Sequence, residues 1–376
     1  MKNRKRAAIK TDLFAHEAHH QKLDELGDPL QEIERHVDFA TLAARVDESV
    51  PRPDRTKGGR PPYPTETMVR ILVLKRLYNL SDEQMEYQLL DRMSYKCFCG
   101  LDDALRVADR TTIWHFENWV GQAGAQALFG EMAEQLARKG FIARGGQIID
   151  ATLVKAPVQR NSRQENEQVR QGNVPEDWSD AKRRQKDVDA SWTKKNGKSH
   201  FGYKLSVNVD GRYKLIRRVE TDTARVHDSR HAKGLLDERN TARVVYADKA
   251  YSSQALRAEL KDRGLRDGIL KRAGKSKALT QRDEQRNRRL SRMRCRVEHV
   301  FAGIEQMGGK MVRTIGRTRA GFAMTMMALC YTTSSDWCVC KGLKPGPSDA
   351  RRGENAHSGR HKRLSCVHQA KTLLID

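Results

Sequence analysis

Apolar residues recur at helical spacing near the start of the chain and are then interrupted. A short amphipathic helix is predicted by positions three and four residues apart, namely Leu23, Leu26, Leu30 and Ile33. The proline- and glycine-rich stretch 51–62 breaks regular structure. Residues 1–62 are therefore predicted to form an N-terminal helix followed by a basic Pro/Gly linker.

Residues 63–140 keep the helical period, and polar residues mark three helix starts. Thr65 stands before the first apolar run, Ser81 begins a second with Gln84 at the capping-box position, and Asp109 introduces a third. Short helices joined by tight turns are typical of a helix-turn-helix DNA-binding module. An ordinary helical bundle explains the same pattern equally well.

From residue 141 the period changes to that of strands. Short apolar runs at Ile148-Ile149, 203–209, 213–219 and 244–246 predict strands, and Asp210-Gly211 is a hairpin turn signal. The polar stretch 159–196 is predicted to be a long loop or insertion. Helical patterns surround Leu235 and span 252–263. The order of elements predicts an α/β domain over residues 141–331, a mixed sheet flanked by helices.

The apolar helix predicted at residues 322–331 is followed by a change in character. Residues 332–376 are mostly polar and irregular, and we predict a disordered tail. One hypothesis is a shift of the reading frame near Tyr331. The simpler one is a disordered basic extension that helps to hold DNA.

Charge identifies the class of partner. The formal net charge is +23 and the isoelectric point is near 9.9, which favours a polyanion. Residues 271–296 hold eleven Lys or Arg and two acids. A second basic stretch, 182–204, contains Trp192, Phe201 and Tyr203, and such aromatics can stack on unpaired bases. Core packing is the simpler role for Phe201 and Tyr203.

Other classes of protein are disfavoured. No run reaches the roughly 18 apolar residues of a membrane helix, and the basic N-terminus lacks a signal peptide. We therefore expect no membrane partner and a cytoplasmic location. The seven cysteines are an odd number and lack the usual zinc spacing, which predicts reduced thiols.

Three acidic residues carry the candidate chemistry. Asp150 and Asp248 are each predicted to close a short apolar strand, and Glu298 lies on an arginine-rich helix. Singly, an Asp after a strand is more often a turn former or helix cap, and a Glu on a charged helix usually pairs with an Arg. Together, three carboxylates can hold two Mg²⁺ ions beside a nucleic-acid backbone.

The chain up to about residue 331 resembles the DDE transposases of the insertion-sequence-five family. The matching segments are Ile149-Asp150-Ala151-Thr152, His200-Phe201-Gly202-Tyr203-Lys204, Val226-His227-Asp228-Ser229, Tyr246-Ala247-Asp248-Lys249-Ala250-Tyr251, Arg294-Cys295-Arg296-Val297-Glu298-His299 and Arg313-Thr314-Ile315-Gly316-Arg317-Thr318-Arg319-Ala320. This resemblance implies a ribonuclease-H-like fold. It also implies a catalytic triad of Asp150, Asp248 and Glu298 that binds Mg²⁺, with Mn²⁺ as a substitute.

The family's Tyr-x₂-Arg-x₃-Glu-x₆-Lys signature is matched in part. Aligned on Glu298, its positions are Ser291, Arg294, Glu298 and Glu305. Arg294 is thus a predicted catalytic helper that contacts a phosphate or orients Glu298. Lys310 can replace the missing signature lysine. Lys204, Lys249, Arg294 and Lys310 are the predicted DNA contacts.

The predicted function is that of a transposase. It would bind the terminal inverted repeats of its own element, cleave there and join the ends to target double-stranded DNA, as a homo-oligomer in the synaptic complex. We place it in the bacterial cytoplasm, associated with the nucleoid. Two alternatives stay open: a ribonuclease-H-like nuclease that cuts without joining, and a decayed transposase that only binds DNA as a regulator.

Overall fold

A computed structural model describes residues 13–52, 58, 61–141, 143–195, 197–274 and 278–342. The predictions for residues 1–12, for 53–57 and 59–60 of the linker, and for 343–376 of the tail lie outside these ranges. The side chains of 335–342 also lie outside the description.

The N-terminal segment contains three helices, so the single predicted helix is wrong. Gly27 lies between the first two, with a φ of +84° that only glycine adopts without strain. Asp28 then caps the second helix, since its carboxylate accepts a hydrogen bond from the Leu30 N–H at 2.8 Å. The helices are α1 Ala15–Leu26, α2 Pro29–His36 and α3 Phe39–Ser49.

Four helices follow the linker: α4 Thr65–Leu77, α5 Asp82–Asp91, α6 Met93–Cys99 and α7 Arg110–Arg138. The starts predicted at Ser81 and Asp109 are confirmed, and Ser81 and Gln84 form the reciprocal capping box. Thr65 does not cap α4, because its hydroxyl donates to Asp47 at 2.8 Å instead. The long helix α7 bends at Gly121.

Within the described ranges the sheet has six strands, and β1 lies between β3 and β5. Strand β3 runs antiparallel to β1, whereas β5 runs parallel to β1 and β6 parallel to β5. Strands β2 and β4 both pair antiparallel with β3. The predicted hairpin turn at Asp210-Gly211 is confirmed. The strands are β1 Gln147–Lys155, β2 Ser191–Lys195, β3 Lys198–Asp210, β4 Ile216–Thr223, β5 Val244–Ala247 and β6 Arg266–Ile269.

Helices lie between and after these strands: α8 Arg163–Arg170, α9 Asp180–Gln185, α10 Ala232–Leu235, α11 Gln254–Asp262, α12 Gln281–Arg294, α13 Arg296–Gln306 and α14 Arg317–Gly342. The stretch 159–196 is therefore not one loop, because it contains α8, α9 and β2. The predicted basic helix breaks at Cys295 into α12 and α13. The predicted architecture, a mixed sheet flanked by helices after an all-α region, is confirmed by this order of strands and helices.

The last helix does not end at Tyr331 as its apolar pattern suggested. Thr332 and Thr333 are buried, and their hydroxyls donate to the carbonyls of Ala328 and Leu329 at 2.9 and 3.0 Å. Back-bonding of this kind lets threonine remain inside a buried helix. Helix α14 packs against α7, α4 and β4, and one apolar core joins the N-terminal helices to the sheet.

The helices in the described part of the chain are all too short or too polar to cross a membrane. Of the described cysteine side chains, Cys99, Cys295 and Cys330 form no disulfide with another described residue.

Candidate active site

Asp150 and Asp248 lie on neighbouring parallel strands. Ile149 of β1 pairs with Ala247 of β5. Asp150 directly follows Ile149 in the sequence, and Asp248 directly follows Ala247. Asp150 is the fourth of nine residues in β1, so the prediction that it closes the strand is wrong. Asp248 does follow the last residue of β5 as predicted, and it caps the short 3₁₀ helix Lys249–Tyr251. The two carboxylates therefore meet where β5 ends.

Asp150 is held in a nearly closed environment. Its side chain is 17% exposed, and its two oxygens accept hydrogen bonds from the Ala151 N–H at 2.8 Å and from Arg294 at 2.9 Å. Burial and the neighbouring Asp248 raise the pKa of the Asp150 carboxyl to about 6, although those hydrogen bonds oppose the rise. The site thus favours an added positive charge near Asp150.

Arg294 joins Asp150 to Glu298. One guanidinium nitrogen donates to Asp150 Oδ2 and another to Glu298 Oε1, each at 2.9 Å. Arg294 ends α12 and Glu298 lies in the first turn of α13, and the break at Cys295 keeps them within reach. The side chain of Glu298 is 62% exposed, so the chain of charges opens to solvent.

The oxygen atoms of these residues suit a hard divalent cation. Within the described ranges, no three or more His, Cys, Asp or Glu side chains already form a metal-holding group. The guanidinium of Arg294 instead lies between Asp150 and Glu298. The second oxygens of Asp248 and Glu298 accept no hydrogen bond from any described residue. The donor set fits a divalent ion once Arg294 releases the two carboxylates.

Lys204 lies on the other face of the sheet from Asp150. It pairs with Leu153 in β1, an odd number of residues from Asp150, so the two side chains point to opposite faces. Its ammonium contacts Asp228 at 2.5 Å and donates to the Val226 carbonyl. A DNA contact by Lys204 would require this buried pair to open.

The other two predicted lysines are more accessible. Lys249 directly follows Asp248, is exposed and forms no ion pair with the described residues. Lys310 pairs with Glu305 at 2.9 Å, so the acid at the signature position is neutralised by the lysine proposed to replace it. The backbone of Lys155 exchanges hydrogen bonds of 2.9 Å with Lys310 and Val312, which fixes this segment beside the end of β1.

Sequence reasoning missed Lys195 at the tip of the β2–β3 hairpin. The charge of Lys195 lowers the pKa of Asp150, so the hairpin tip lies near the carboxylates. Gly202 sits where β3 passes from β4 to β2, with a φ of +149° and no room for a Cβ beside the Val154 carbonyl. The available signal was charge, because residues 190–209 contain several lysines and no acid.

Tyr251 was also missed. Its side chain is fully buried, and its hydroxyl has no hydrogen-bond partner among the described residues. Burial and the nearby carboxylates of Asp150, Asp228 and Asp248 raise the pKa of this phenol. Its place in the segment 246–251 of the family resemblance was the signal that could have found it.

Comparison with known proteins identifies the family. Residues 143–333 match the sequence model of the Transposase DDE domain, and residues 17–119 match that of the Transposase domain (DUF772). The fold is also similar to a chain of the cryo-EM structure of the piggyBac transposase synaptic complex with hairpin DNA, at 12% identity and a TM-score of 0.42 over 85% of this chain and 77% of that one. Because the DDE match spans more than half of the sequence, the chain belongs to the family of DDE transposases, enzymes that use divalent metal ions to cut and join DNA.

Proposed function

We propose that this chain is a transposase of the insertion-sequence-five type. It binds the terminal inverted repeats of its own element and catalyses Mg²⁺-dependent cleavage and strand transfer into double-stranded DNA, with Mn²⁺ as a substitute. The observation that supports this proposal is that Arg294 links Asp150 to Glu298, while Asp248 directly follows the residue of β5 that pairs with Ile149, the neighbour of Asp150.

Asp150, Asp248 and Glu298 are the residues that would hold the metal ions. When bound, such ions activate the attacking oxygen and stabilise the leaving one during phosphoryl transfer. The pairing of β1 with β5 places Asp150 and Asp248 beside each other. Each carboxylate also accepts a hydrogen bond from the backbone N–H of the next residue. Glu298 is the most exposed of the three carboxylates, and its side chain would reach the metal ions from α13.

Arg294 has two successive partners in this proposal. Without metal, its guanidinium neutralises Asp150 and Glu298. Once these carboxylates are engaged elsewhere, the same group is free to bind a phosphate bidentately, which is the geometry guanidinium suits best. Lys249 beside Asp248, Lys195 on the hairpin and Lys310 provide further positive charge around the DNA backbone.

Two DNA ends must be brought together before joining, so we propose a homo-oligomer in the synaptic complex. The strongly positive net charge suits the nucleoid of a bacterial cytoplasm as the site of action. Both statements depend on the element's ends being the substrate.

The deciding experiment uses the DNA that flanks the coding sequence. The purified full chain is given labelled flanking ends, a target plasmid and Mg²⁺, and cleavage and joined products are measured separately. Asp150→Asn, Asp248→Asn and Glu298→Gln should each abolish both reactions, whereas Asp262→Asn at the exposed end of α11 should not.

The outcomes separate the alternatives. Cleavage without joined product would identify a nuclease of this fold. Specific binding to the ends without cleavage by the unmodified chain would identify a decayed transposase that acts as a regulator. Undiminished cleavage in excess chelator would contradict the metal-dependent mechanism.

A further inference from the structure

A cleft of about 550 Å³ lies between the N-terminal helices on one side and the segment 308–315 with the start of α14 on the other. Its volume is within the roughly 300–1,000 Å³ of pockets that hold small ligands. We call it the arginine cleft, because Arg184, Arg313 and Arg319 line it together with Trp114 and Thr314. None of these five residues has a role in the carboxylate site described above.

The arginine cleft carries uncompensated positive charge. Two acids line it, Asp82 and Glu117, and both are already paired, with Lys75 and Arg76 at the base of the cleft. The three remaining cations, Arg184, Arg313 and Arg319, are exposed and make no ion pair with the described part of the chain. An anion that enters therefore meets guanidinium groups without competing carboxylates.

Trp114 gives the cleft an aromatic surface. Its side chain is 43% exposed on the first turns of α7, and the Arg319 guanidinium lies 5.7 Å from the ring centroid. The His115 ring meets the indole edge-on at 4.9 Å. An open indole beside a guanidinium is a stacking platform for an unpaired base, since every base has a π-face.

Two polar groups in the cleft wall lack partners. The Nε of Arg76 and the Oγ1 of Thr314 are buried without a hydrogen bond among the described residues. Unpaired donors are costly in a finished protein interior. Both groups belong to side chains that line the cleft, so a polar ligand bound there is a candidate partner for them.

We propose that the arginine cleft binds an unpaired nucleotide of a DNA strand. The base stacks on Trp114, and the phosphates flanking it contact Arg313, Arg319 and Arg184. The proposal rests on DNA being the substrate and adds a second contact region beyond the carboxylates. Because α7, the segment before α14 and the start of α14 form the cleft together, a bound strand would also tie the N-terminal helices to the catalytic half.

The test measures binding by the full chain in chelator, where no cleavage occurs. A labelled oligo-dT strand and a duplex of equal length are titrated at several salt concentrations. Trp114→Ala should weaken single-strand binding roughly 5- to 150-fold, the range for loss of one stacked base, with a smaller effect on the duplex. Arg313→Ala should reduce the salt slope for the single strand by about 0.7.

Two further variants control for folding and for general surface effects. Trp114→Phe keeps an aromatic face and should retain affinity within a few-fold, so it tests stacking even if Trp114→Ala is unstable. Tyr87→Ala removes an exposed aromatic from α5 outside the cleft and should leave binding unchanged.

Three results would overturn the proposal. These are equal losses for Trp114→Ala and Tyr87→Ala, an equal loss on both kinds of DNA, and displacement of the strand by millimolar inorganic phosphate. Displacement by phosphate would show that the cleft is a general anion site. Binding of an acidic peptide in place of the strand would likewise contradict the proposal. If the protein binds the strand but never cuts DNA, the proposed function is contradicted, whereas the proposal for the cleft still holds.

Discussion

Two hydrogen-bonded chains of polar side chains lie on opposite faces of the central sheet. On one face, Asp150, Arg294 and Glu298 are linked at 2.9 Å, and side-chain exposure rises from 17% at Asp150 to 62% at Glu298. On the other face, Ser206, His231 and Asp222 are linked at 2.9 and 3.2 Å. The first chain ends in solvent and the second lies inside the protein.

The closed chain has the composition of a catalytic triad but lacks access. Ser206 is fully buried, and Arg317 at the start of α14 covers Asp222 with an ion pair of 3.2 Å. Nearby, the Lys204–Asp228 pair is mostly buried too. Residue type therefore does not separate a site for chemistry from a structural network here. The open end at Glu298 does, because that carboxylate can be reached from solvent, whereas Ser206 of the closed chain is fully buried.

The sharpest test of this comparison replaces Asp248, which lies beside the open chain, and Asp222, which belongs to the closed chain. Asp248→Asn beside the open chain should lower cleavage by more than about 10³-fold, because an amide is a poor ligand for a hard cation and the three carboxylates act as one unit. Asp222→Asn in the closed chain should leave cleavage within about tenfold. Single-turnover cleavage of labelled element ends measures the effect of both variants. Similar losses of cleavage in the two would contradict the functional difference between the open and the closed chain.

Breaking the Lys204 pair should cost stability. Lys204→Met leaves Asp228 without its cation, and we expect the free energy of unfolding to fall by about 2–3 kcal/mol, less than the ~3–5 of a fully buried pair because Asp228 is partly exposed. Urea unfolding measures the change, and adding Asp228→Asn should restore most of it. If the double variant is stable but binds DNA weakly, Lys204 is a DNA contact after all.

Asp150 should destabilise the metal-free protein at neutral pH. Its pKa is about 6 in the folded protein and 3.8 ordinarily, so the folded state binds the proton more tightly. The protonated carboxyl therefore stabilises the folded state, and this stabilisation is lost as pH rises from about 4 to about 6. Asp150→Asn should be more stable than the parent at pH 7, by on the order of 2–3 kcal/mol, and the difference should shrink towards pH 4.

Thermal unfolding in chelator at both pH values checks this prediction, with Asp262→Asn as an exposed control. A constant difference between Asp150→Asn and the parent across the pH range would contradict it.

Arg294 should oppose metal binding while assisting catalysis. Arg294→Ala removes the cation that lies between Asp150 and Glu298, so Mn²⁺ should bind several-fold more tightly in calorimetric titration. Cleavage should nevertheless fall by roughly 10- to 100-fold, because a guanidinium at the phosphate is lost. Arg292→Ala, exposed on the same helix, is the matched control.

Unchanged metal affinity and cleavage in Arg294→Ala would give a different conclusion. Arg294 and Glu298 would then form an ordinary helix-surface pair, worth only about 0.2–0.5 kcal/mol.

Local signals were enough where a structure depends on neighbouring residues. The capping box of Ser81 and Gln84, the start of α7 at Asp109 and the turn at Asp210-Gly211 all use groups a few residues apart. Asp248 at the end of β5 belongs with them, because its carboxylate accepts a hydrogen bond from the N–H of the next residue, Lys249, and caps the 3₁₀ helix that follows. The fold class followed from the order of these elements together with the family resemblance.

The sequence alone therefore indicated the basic, DNA-directed character of the chain, the helix starts at Ser81 and Asp109, and the candidate carboxylates. Only the tertiary structure decided that Asp150 lies inside β1, that Arg294 bridges to it across 144 positions, and that the hairpin tip brings Lys195 near it. Strand register and helix crossing set those contacts, and neither leaves a short-range pattern in the chain. For the same reason the charges of the open and closed chains look alike in sequence, since burial is a property of the packed molecule.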